Sequence, residues 1–66
     1  MEFREKARIQ LEHWITHNDH HEEEYLSFAE QLESAGMEES GKHVRDMVTL
    51  AAKSTESLRK ALKALL

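Results

Sequence analysis

The sequence predicts an all-α protein: an antiparallel two-helix hairpin, with helices over about residues 3–35 and 38–65, that pairs into a four-helix bundle. Three features predict it. Apolar residues recur with a 4-3 spacing in both halves of the chain. There is no proline and there are only two glycines, a composition that fits uninterrupted helices. One of those glycines, Gly36, sits where the two patterns meet. The whole chain, 1–66, reads as a single domain.

In the first half the spacing runs through Ala7, Leu11, Trp14, Asn18, His21, Tyr25, Phe28 and Leu32. With Leu11 as position a, every member falls on a or d of a heptad, the seam of a paired helix. Ile15, Leu26 and Ala29 widen that stripe on one side. The width exceeds what a two-helix contact covers and points to further neighbouring helices. Phe3, Trp14, Tyr25 and Phe28 are read as core at helical spacing.

The second half repeats the pattern at Val44, Val48, Ala51, Thr55, Leu58, Leu62 and Leu65, flanked by Met47. Between the halves, Gly36 suits the left-handed position that closes a helix, with Met37 folding back toward Leu32. Glu38 and Glu39 fall in the next first turn, where acids favour the positive end of the helix dipole. So short a turn forces the helices antiparallel.

Folding the chain about Gly36 sets the register. Phe28 meets Val44, Tyr25 meets Val48, His21 meets Ala51 and Asn18 meets Thr55. Trp14, Leu11 and Ala7 meet Leu58, Leu62 and Leu65. A slip of one heptad would put Asn18 against Val48 or Leu62, an unpaired amide costing about 1–3 kcal/mol. Asn18, His21 and Thr55 thus form the expected polar layer of the core, with Ala51 leaving room for the imidazole.

Composition excludes several classes. Without cysteine there is no disulfide and no thiolate metal site, and a chain this short has little core of its own. A second copy, or another helical protein, is the expected partner. The net charge of −4 argues against nucleic acid. No apolar run spans a bilayer and the start is not a signal peptide, so the expected location is the cytoplasm. The basic amphipathic end, Ser57 to Leu66, could touch a membrane surface, but its apolar face is already matched by Ala7, Leu11 and Trp14. The first 35 residues hold nine acids and three bases, the rest four acids and six bases, so the two halves attract weakly.

One segment could carry chemistry. Four of the five histidines lie between His13 and His21. On a helix His21 belongs to the seam and His17 to its flank, while His13 and His20 point away. His17, His21 and Glu24 follow one another along one edge, a spacing that lets two imidazoles and a carboxylate share a divalent ion of the zinc or nickel type. The polar-layer reading of His21 leads, since a polar residue in a helical seam commonly sets register and oligomer state. A metal site at His17, His21 and Glu24 is the alternative. No other cofactor is implied. Glu22 and Glu23 read as a solvated face.

No histidine follows a glutamate by three residues, so the Glu-x-x-His pairs of carboxylate di-iron bundles are missing. His-Glu-x-x-His is missing too. Ser54, Thr55 and Ser57 have no glycine elbow or oxyanion hole beside them. A non-enzymatic module is expected.

The stretch Leu11-Glu12-His13-Trp14-Ile15-x-His17-Asn18-x-x-His21-x-x-Glu24-Tyr25, followed by Ala35-Gly36-Met37-Glu38, resembles a family of small uncharacterised helical-hairpin proteins of bacteria and archaea. The resemblance covers most of the chain. It implies the same hairpin and draws attention to His17, Asn18, His21 and Glu24.

Overall fold

The computed structural model describes residues 2–66. Two helices account for nearly all of them, α1 over Phe3–Ser34 and α2 over Glu38–Leu65. They lie antiparallel in a rod of 52 × 16 × 11 Å, the all-α hairpin that the sequence predicts. Among the described residues no helix is long and apolar enough to cross a membrane.

The turn is built from backbone. Gly36 takes φ +83°, a left-handed conformation that costs a residue with a Cβ roughly 1–2 kcal/mol. Met37 N–H then bonds the Leu32 carbonyl at 2.8 Å and Gly36 N–H bonds that of Glu33 at 3.1 Å. These two bonds satisfy carbonyls that a helix end leaves open. Glu38 and Glu39 fill the first turn of α2.

All seven expected seam positions of α2 face α1. Val48 and Thr55 are buried; Val44, Ala51, Leu58, Leu62 and Leu65 are half-buried. The phase of α1 differs from expectation. Its inward line is Leu11, Ile15, Asn18, Glu22, Tyr25, Ala29 and Leu32. Trp14 and Phe28 instead stand 49% and 53% exposed, and His21 has turned to the flank beside them.

Side-chain size explains the rotation. Gly41 is buried, and a Cβ built on it would stand 3.1 Å from the Ala29 carbonyl and 2.7 Å from Glu33 Cγ. Near the turn the helices therefore approach almost backbone to backbone. Ala29, which is fully buried, fits that gap and Phe28 does not. The same choice recurs two and four turns earlier, where Glu22 and Ile15 point inward in place of His21 and Trp14.

Ion pairs stitch one edge of the hairpin. Arg45 Nε donates to Glu33 Oε2 at 2.7 Å and Arg45 Nη2 to Glu33 Oε1 at 2.8 Å, a two-point clasp. Four turns further along, Arg59 Nη2 donates to Asp19 Oδ2 at 2.6 Å. At the open end Arg4 donates to the Leu65 carbonyl. The hydrogen bonds from Arg45 hold the Glu33 carboxyl below its ordinary value, against a smaller opposing effect of burial.

Two expected outcomes test this frame. Gly36→Ala should lower the unfolding free energy by about 1–2 kcal/mol in urea titrations at fixed chain concentration, because alanine must adopt the left-handed turn. Glu33 has a depressed folded pKa, so its contribution is complete above the unfolded value of 4.5. It is lost as pH falls through the lower folded value. The stability difference between wild type and Glu33→Gln should therefore shrink as pH drops below 4.5. A difference that stays constant down to pH 2 would contradict the clasp.

Candidate functional site

The middle of α1 gathers the histidines into a column. Spacing of four residues stacks side chains one turn apart with a slow drift around the helix, and the rings of His13, His17, His21 and Tyr25 follow that line. His13 and His17 lie nearly parallel with centroids 5.8 Å apart. His17 meets His21 edge-on at 4.4 Å. His21 stacks on Tyr25 at 5.9 Å and 13°. The column starts on the outer surface at His13 and ends in the seam at Tyr25.

Both nitrogens of His21 are engaged. Its Nδ1 lies 2.9 Å from Glu24 Oε1, and its Nε2 lies 2.9 Å from His17 Nε2. A carboxylate only accepts, so Nδ1 carries the hydrogen toward Glu24. In neutral His21 the Nε2 lone pair then faces His17. His20 stands off at 3.7 Å from Glu24 Oε1 and His13 is exposed. The structure thus brings together His17, His21 and Glu24, the three residues singled out by spacing, and it gives them unequal roles. Glu24 grips the far nitrogen of His21 and does not share the point where the two Nε2 atoms converge. Among the described residues no group of three or more histidine or acidic side chains is arranged to hold a metal ion.

The polar layer has a different membership from the expected Asn18, His21 and Thr55. Thr55 is buried, fully so, but its partner is Glu22. The Thr55 hydroxyl lies 2.8 Å from Glu22 Oε2 and 3.0 Å from the Ala51 carbonyl, between which its single hydrogen is shared. Asn18 is half-buried one turn away. His21 is 41% exposed at the side chain and borders the layer from outside. A groove of about 220 Å³ runs between the helices here, lined by Asn18, His21, Glu22, Tyr25, Ala51 and Ser54.

Glu22 is the residue that spacing alone does not single out. Its neighbours Glu23 and Glu24 make it look like part of a solvated run. The signal lay in the second 4-3 line through Ile15 and Ala29, which passes through Glu22 and carries smaller side chains than the line through Trp14 and Phe28.

Two long helices closed by a left-handed glycine, with an imidazole column on one helix, define a helical-hairpin protein with a histidine-rich flank. The chain belongs to the family described as a domain of unknown function (DUF8180), whose profile matches residues 7–65. No curated protein and no solved structure gives a match.

The Glu22–Thr55 contact can be tested by stability alone. Thr55→Val keeps the shape and removes the hydroxyl, leaving a half-buried carboxylate without its partner, and should cost about 1–3 kcal/mol. Combining it with Glu22→Leu should recover most of that loss, since replacing both partners by apolar groups is close to neutral. Additive losses in the double variant would show that the two residues act separately.

Proposed function

We propose that the chain is a non-enzymatic helical interaction module that pairs with a second copy through one side of the hairpin, giving a four-helix bundle. The observation that carries this reading is a side almost free of charge. In steps of seven, the lines beginning at Ala7 and Gln10 on α1 and at Ser40 and His43 on α2 lie on the side away from the Arg45 and Arg59 ion pairs. They hold one formal charge, Glu24, in a chain that is 33% charged. Trp14, Phe28, Met47 and Leu50 project from that side with 40–65% of their surface open. Depletion of charge combined with exposed aromatic and methionine side chains is the composition of an interface core. Among the described residues only Ala29 and Val48 are buried apolar side chains, so pairing supplies the burial that a chain this small otherwise lacks.

A second reading rests on a separate observation. The 2.9 Å approach of two imidazole nitrogens, with a carboxylate on the far nitrogen of His21, favours binding of a divalent ion such as zinc or nickel at His17 and His21.

Sedimentation in the presence of a chelator tests the first reading. The full chain should be a dimer at micromolar concentration. Trp14→Glu with Phe28→Glu should weaken association by a hundredfold or more while leaving the chain helical by circular dichroism. A well-folded monomer at high concentration would overturn the proposal.

A further inference from the structure

We propose that His17 and His21 are half of a zinc-type metal site which a second copy of the chain completes, so that one ion is shared by two chains. The inference rests on the pairing proposed above.

The donors are arranged for it. Two nitrogens bound at about 2.0–2.1 Å to a tetrahedral zinc stand about 3.3 Å apart. His17 Nε2 and His21 Nε2 are 2.9 Å apart, a few tenths of an ångström short, within reach of a small ring rotation. The Nδ1–H of His21 is held by Glu24 at 2.9 Å, which fixes the tautomer that leaves Nε2 free to bind. A carboxylate on the outer nitrogen of a metal-bound histidine orients the ring and raises its basicity. Glu24 is thus a positioning residue. His17 reaches the binding state by moving its hydrogen from Nε2 to Nδ1, so neutral imidazoles need release no net proton.

A single chain stops at two donors. No third histidine or acidic side chain joins the pair in a metal-holding group among the described residues, and a structural zinc site takes four. The charge-poor side offers a source for the other two. The midpoint of α1, Phe3–Ser34, falls at residues 18 and 19, between His17 and His21. A two-fold axis crossing there runs one α1 antiparallel along the other over its full length. It brings His17 and His21 against the partner's His21 and His17. Trp14 then enters the space between the partner's His21 and Phe28, a knob set into a hole. On α2 the same axis lays Met47 and Leu50 near the partner's Ala61 and Ala64, large on small. An isologous contact needs this self-complementarity. Four neutral imidazole nitrogens at the axis suit zinc, cobalt or nickel rather than magnesium or calcium.

The test is zinc titration of the full chain by calorimetry, paired with sedimentation in zinc and in chelator. Binding should saturate at one zinc per two chains, and the dimer should tighten at least tenfold with zinc. His17→Gln with His21→Gln should abolish both effects and keep the dimer seen in chelator. Glu24→Gln should weaken zinc binding by about 10–100-fold at unchanged stoichiometry. Saturation at one zinc per chain, or zinc binding equal in wild type and the histidine double variant, would overturn the shared site. A dimer in chelator that zinc does not tighten would overturn this inference and leave the pairing standing. A chelated monomer that zinc dimerises at one ion per two chains would support the site and overturn metal-free pairing.

Discussion

The closeness of the two helices near the turn governs the rest of the molecule. It is set by absence of bulk: Gly41 has no side chain, Ala29 has one carbon, and a Cβ on Gly41 would already crowd the Ala29 carbonyl at 3.1 Å. Helices that close cannot hold an indole or a phenyl ring between them. α1 therefore turns until Ile15, Glu22 and Ala29 point inward, and its large aromatic residues emerge on the flank. The exposed apolar side of the hairpin and the tightness of its seam are two results of one packing decision.

That decision also places the histidines. His21 follows the line of Trp14 and Phe28 out of the seam, because the three share a helical phase. Had Trp14 and Phe28 been accommodated between the helices, the imidazole would have gone inside with them, facing Ala51. Instead it lies where one nitrogen reaches Glu24 and the other reaches His17. The chemistry-bearing groups and the open aromatic groups occupy the same side of the rod, so any protein that covers that side also meets the imidazoles.

Much of this was legible in the sequence, though unevenly. The turn could be read because a lone glycine between two periodic segments has one common use, and Gly36 has it. The seam of α2 could be read because Val44 to Leu65 offer a single inward line. α1 offered two lines, and heptad spacing favoured the one with the larger apolar residues. The choice between them depended on how near the other helix comes, and near the turn that distance is set by Gly41, a residue of the opposite helix. The grouping of His17, His21 and Glu24 was legible because it is local to one helix. The partnership of Glu22 with Thr55 was not, since it joins residues 33 positions apart.

The backbone turn has a consequence for how the chain assembles and opens. Every cross-helix contact encloses Gly36, so contacts near it close short loops and contacts near the termini close long ones. Loop-closure entropy rises with each added turn of separation. Arg45 with Glu33 closes the shortest of the ion-paired loops, Arg59 with Asp19 a longer one, and Arg4 with Leu65 nearly the whole chain. The hairpin can therefore zip from the turn outward and unravel in the reverse order, with the termini giving up their amide protons to solvent first. The imidazole column lies near the middle of that zipper, at the point where closure passes from the tight, small-residue half of the rod to the half lined by leucines.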